Sequence, residues 1–144
     1  MTAISEQICL WLDARLAAIS GVVEYERDPS GDPTDFPSVS LTYEGHVTEE
    51  AEAGTTRYVA DFTIEAYLEG SSGAGVSAQM NDLHVGVVAA VVDPGNPPVG
   101  GLAERVEEGD LVRATAHFAS IPRKGFRQQF KIQFSTQRGN PAAQ

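Results

Sequence analysis

A few groups of residues in this chain have types and spacings that could do chemistry. Gly73-Ala74-Gly75-Val76-Ser77-Ala78 has the G-x-G-x-x-A form that brings backbone N–H groups against a pyrophosphate at the start of a helix. The segment before it alternates apolar and polar residues, the pattern of an antiparallel strand with one wet face. A dinucleotide fold opens instead with a strand buried on both faces. Asp93, at the offset of a ribose-binding acid, closes the following helix and not a strand. A flexible glycine loop is therefore the reading we take. His46, His84 and His117 fall in a loop, a helix and a strand, with no HExxH spacing and no cysteine partner, so no zinc site is expected. His84, one turn after Met80, reads as a hydrogen-bonded histidine at the edge of an apolar stripe. Asp61 and Glu65 share the wet face of one strand, where solvation or a subunit contact is expected; acid–base work needs a pocket around them. There is no G-x-S-x-G elbow and no phosphate loop. Cys9, the single cysteine, lies among Ile8, Leu10 and Trp11 and reads as a small core residue. The expectation is a chain without catalytic residues, cofactor or metal.

Charge is the stronger signal. Residues 111–144 contain Arg113, Arg123, Lys124, Arg127, Lys131 and Arg138 and no acid, a sum of +6. Residues 1–110 hold all 20 acids against four arginines, a sum of −16. Such a division suits a subunit that docks head-to-tail on copies of itself, so that unlike surfaces meet. The sharpest pair is an acid-only stretch from Glu44 to Glu52, with Glu49, Glu50 and Glu52, and a basic set of Arg123, Lys124 and Arg127. The first is expected as a protruding loop. The second is expected at a hairpin tip made by Pro122-Arg123-Lys124-Gly125. A net charge of −10 argues against nucleic acid as an adhesive partner, because phosphate binding needs cations. It permits DNA to pass without sticking.

The elements that position these residues follow from hydrophobic periodicity. Ile4, Ile8, Trp11, Leu12, Leu16 and Ile19 mark one face of a helix over about residues 3–20, with Thr2 as N-cap and Gly21 as stop. Short strands are expected at 22–26 and 38–43, and a long one from Arg57 in which Tyr58, Ala60, Phe62, Ile64, Ala66 and Leu68 share a face. Val76, Met80, Leu83, Val87 and Val91 give a second helical stripe. An edge strand around Leu102–Val106, a strand over 111–121 and a last one with Phe126, Phe130, Ile132 and Phe134 complete the chain. The order α-β-β-β-α-β-β-β, with long hairpins, predicts a single α+β two-layer domain over residues 1–138. Its sheet is mostly antiparallel, with both helices on one face. Residues 139–144 are expected to be disordered. The N-terminus lacks the basic start of a secretory signal, and the apolar run Val85–Val92 is too short to span a bilayer.

This order resembles the tail terminator, or tail completion, proteins of long-tailed bacteriophages (minor tail protein U-like). The likeness is carried by the helix ending at Gly21, by Phe36-Pro37-Ser38-Val39-Ser40-Leu41, by the strand Arg57 to Tyr67, and by the helix with Met80-Asn81-Asp82-Leu83. It covers roughly residues 3–137. What it implies is a structural virion protein at the tail–neck junction, assembled in the host cytoplasm. Its copies would form a hexameric ring that caps the tail tube protein and joins the head–tail connector or stopper protein, with DNA crossing the lumen. Two other readings stay open: another neck or head–tail joining protein, or a small-molecule-binding α+β domain using the glycine loop at 70–75.

Overall fold

A computed structural model describes residues 1–144. Helix α1 (Ile4–Ala17) forms because Ile4, Ile8, Leu12 and Leu16 recur one turn apart, and all four are buried. It ends four residues before Gly21. Ala3, not Thr2, occupies the N-cap, with no side-chain cap. Helix α2 (Ala74–Val92) buries Met80, Leu83, Val87, Ala90 and Val91. Its C-cap is Asp93, in the left-handed conformation with its N–H on Ala89 O.

Five strands make one sheet: β1 (Glu24–Arg27), β2 (Ser38–Glu52), β3 (Thr55–Tyr67), β4 (Arg105–Phe118) and β5 (Ile121–Gln137), ordered β1-β2-β3-β5-β4. Only β1 and β2 pair in parallel; every other pair is antiparallel. The α+β two-layer domain is therefore the one expected, with the helices over one face and the core between. Inward positions of β3 and β5 carry Ala60, Phe62, Ile64, Ala66 and Phe126, Phe130, Ile132, Phe134, all buried. Buried apolar area at roughly 25 cal/mol per Å² is the main source of stability here.

The differences from expectation are local. The two segments expected as separate strands, 102–106 and 111–121, run together as β4 through a bulge between Glu108 and Leu111. Gly109 is required at that bulge: a Cβ there would lie 2.7 Å from the Gln129 carbonyl oxygen. Past the bulge Leu111 packs against the core and Val112 is exposed. A 3-10 turn (Pro98–Gly101) precedes β4. The acidic stretch Glu44–Glu52 is strand, not loop: it extends β2 to pair with β3 as far as Glu52↔Thr55. Residues 139–144 fold back on the domain, with Ile4 N–H donating to Pro141 O (2.9 Å) and Gln137 N–H to Ala143 O (2.8 Å).

Candidate functional site

The charged residues singled out by sequence lie at opposite ends of one long sheet. In the β3–β5 ladder Thr55 pairs with Gln137 and Tyr67 with Gly125. At about 3.3 Å per residue these ends are roughly 40 Å apart. Glu49, Glu50 and Glu52 belong to the first end, Arg123 and Lys124 to the second, so no acid–base contact joins the two sets within the chain.

At the first end β2, now an edge strand, continues with β3 and β5 as a three-stranded ribbon. None of Glu44–Glu52 is buried, and Val47 is 62% exposed. Arg57 bridges Glu50 (2.8 Å) and Glu104 (3.0 Å), and these carboxylates, Glu104 foremost, raise its pKa. Glu49 accepts a hydrogen bond from Gln133 Nε2. Glu52 has no cationic partner.

The second end corrects the sequence reading most. The β4–β5 turn is made by Ala119 and Ser120, both with positive φ (52° and 66°), as a two-residue hairpin with the twist of its strands requires. Arg123 and Lys124 are therefore strand residues of β5, not a tip. Arg123 stacks on Phe36, 4.4 Å from its ring centroid, and donates to the Glu69 carbonyl oxygen. Phe36 and Tyr67 flank Phe118, at 5.8 and 5.0 Å, and build an aromatic cluster on the helix-free face. Gly125 makes room for it: a Cβ there would lie 2.5 Å from the Tyr67 ring and 2.0 Å from the Ala66 carbonyl oxygen. Burial, with Glu65 adding to it, pushes the Tyr67 phenol up. Lys124 points to the helix side, into a cavity of about 320 Å³ with Ser72, Gly73, Ser77 and Arg113 at the start of α2. Arg113 is tied there to Asn81 (2.8 Å) and Ser77 (3.2 Å).

Arg127 is not free either. It pairs with Glu65 (3.2 Å), as Lys131 pairs with Asp61 (3.4 Å), because β5 lies beside acid-bearing β3. The division into a base-only and an acid-rich segment is thus largely undone in space.

Two features had no sequence signal. Arg27 spans Glu6 (2.8 Å) and Asp13 (3.2 Å) and ties α1 to β1; Asp13 also accepts from Tyr25 Oη at 2.6 Å. The Arg27 hydrogen bond lowers the Glu6 pKa against a smaller desolvation effect. Burial, then the Asp13 contact, holds Tyr25 far above the usual phenol range. Arg15 reaches across to Asp93 (3.1 Å) at the end of α2. His84, expected to be hydrogen-bonded, has a buried Nε2 without a partner and sits edge-on to Phe126. Cys9 is buried as expected, which raises its pKa.

The strand before the glycine loop is antiparallel to both neighbours, unlike the first strand of a dinucleotide fold. No three His, Cys, Asp or Glu side chains form a metal-holding group, and no helix is long and apolar enough to cross a membrane.

No protein-family model and no curated protein matches the sequence. Among solved structures, the chain is similar to one in the virion of a native gene transfer agent (GTA) particle. The two are 17% identical, 92% of each chain is covered, and the TM-score is 0.45.

Proposed function

We propose that this chain is a structural subunit of a phage-like virion that closes the end of a tail tube as a hexameric ring and joins it to the head connector. One observation carries the reading: a single sheet bears an acidic ribbon at one end and Arg123 and Lys124 at the other, roughly 40 Å away. Unlike ends on one body are what a heterologous, ring-closing contact needs. The residues proposed to meet between neighbours are Glu49, Glu50 and Glu52 on one copy and Arg123, Lys124 and Arg127 on the next.

Pairs already formed within the chain do not prevent this. Glu50–Arg57 and Arg127–Glu65 are solvent-exposed, and such pairs contribute little in water, so re-pairing with a neighbour costs little. The net charge of −10 keeps a lumen from trapping DNA. The test is negative-stain microscopy of the protein mixed with tail tubes. Six-fold caps on tube ends are expected, and weaker association in salt that screens charges beyond about 10 Å. Tubes that keep growing in excess protein would sink the reading.

The cavity at the start of α2, with Arg113 and Lys124 beside orphan helix N–H groups, favours a second reading, a site for a small anionic molecule. A thermal-shift screen with nucleotides decides it, because a ligand at 100 times its Kd stabilises by about 2.7 kcal/mol. No shift with any nucleotide removes this reading.

A further inference from the structure

On the helix-free face, the loop from Pro29 to Pro33 folds over the ends of β1, β2 and β3 and encloses a cavity of about 230 Å³. Its lining is of two kinds. Glu24, Glu26, Asp32 and Glu65, the last already paired with Arg127, supply carboxylates; Tyr67 and Phe118 supply flat aromatic surface. Glu24 is engaged with the Thr34 N–H (3.2 Å) and hydroxyl (3.1 Å), which holds the loop closed. Glu26 and Asp32 have no cationic partner among the ion pairs of the chain. On the floor lies Ser38, 5% exposed, whose hydroxyl makes none of the side-chain hydrogen bonds found here. A buried serine whose hydroxyl has no partner in the chain, in one cavity with two unpaired carboxylates and two aromatic rings, is a polar site open to a ligand.

The chemistry selects the ligand. The carboxylates do not converge as a metal-holding group. Carboxylates together with aromatic faces suit a guanidinium, which is planar, always charged, donates five hydrogen bonds and stacks on rings.

The chain itself offers one. Every other arginine is engaged by an acid, by a polar acceptor or by an aromatic ring; Arg138 alone has no side-chain partner, and it is exposed. Its N–H donates to Gly54 O (3.0 Å), which places it at the β2–β3 turn, the end of the sheet opposite the cavity. Within one copy the two cannot meet.

We propose that this cavity receives a guanidinium and that its occupant is Arg138 of a second copy of the chain. The inference rests on the self-association proposed above and adds to it a contact between the same two ends of the sheet.

A mixing experiment tests it. Isotopically labelled Arg138→Ala has an intact cavity and no arginine to fill one. Unlabelled Glu26→Gln/Asp32→Asn has the arginine and an impaired cavity. Adding the second to the first should move the amide signals of Ser38, Tyr67 and Phe118, and unlabelled Arg138→Ala should move them at least tenfold less. N-acetyl-arginine amide should move the same signals, and its neutral citrulline analogue should not. Equal shifts with both protein partners, or none with the double variant or with the arginine amide, would overturn the inference. The ring reading fails separately. If Arg138→Ala still caps tubes normally, the cavity contact is wrong and the ring stands; if the signals move but no tube is capped, the reverse holds.

Discussion

Strands β2 and β3 each pass through two environments, and the contrast separates what holds this fold from what is offered to partners. In the covered half, near α1 and α2, alternate side chains are fully buried: Val39 and Leu41 on β2, Phe62, Ile64 and Ala66 on β3. In the ribbon, residues 44–52 and 55–59, none is, although the ladder continues almost without interruption to Glu52↔Thr55. The backbone hydrogen bonds are alike in both halves; on β2 and β3 full apolar burial is confined to one, while Phe134 of β5 stays buried beside the ribbon. A ladder once anchored by a core can project beyond it, and what it then displays is charge held by weak pairs. That is a poor source of stability and a good contact surface.

The largest effect should come from the covered half. Phe130→Ala, at a site with no exposure, should lose about 3–5 kcal/mol in urea unfolding. Next comes the tie between α1 and β1: Arg27→Ala should lose about 1.5 kcal/mol, as for a hydrogen bond to a charged group. In the ribbon, Arg57→Ala should shift the urea midpoint less than Arg27→Ala does, because both of its carboxylate partners are exposed. A shift as large as that of Arg27→Ala would break the comparison. Smallest on stability, and largest on assembly, is Glu49→Gln/Glu50→Gln/Glu52→Gln: the urea midpoint should barely move while tube capping falls. Unchanged capping would remove the ribbon from the proposed interface.

The same α1–β1 tie fixes the direction of two pH effects. Glu6 has a lowered pKa in the fold, so its contribution is present above the ordinary carboxylate value of 4.5 and is lost as pH falls through the folded value. Glu6→Gln should flatten that acid limb. Tyr25 has a raised pKa, so its contribution is present below 10 and stability falls as pH rises past it. Tyr25→Phe should remove this alkaline loss, measured as the change in melting temperature with pH.

Much of the fold was legible because helices and strands write their period into the chain. The stripes Ile4–Ile8–Leu12–Leu16 and Met80–Leu83–Val87–Val91, and the alternation through β3 and β5, fix which side faces the core. Other features left no periodic trace. Pro122 and Gly125 look like turn residues, yet Ala119 and Ser120 make the turn, since strand pairing and not composition set the hairpin's register. The polar stretch Glu44–Glu52 lacks the apolar alternation of a half-buried strand because nothing buries it. The cavity beneath the loop depends on Ser38, Tyr67 and Phe118, which come from three strands and are neighbours only in space.

The sequence by itself determined both helices, the inward faces of β3 and β5, the buried cysteine and the existence of an acid-rich and a base-only segment. Only the tertiary structure decided what that charge division means. The order β1-β2-β3-β5-β4 lays β5 against β3, so that Arg127 meets Glu65 and Lys131 meets Asp61. The same order keeps the acidic ribbon and Arg123-Lys124 at opposite ends of the ladder. Periodicity is local and survives in a linear string, whereas the partner of a charge is set by which distant strand pairs alongside it.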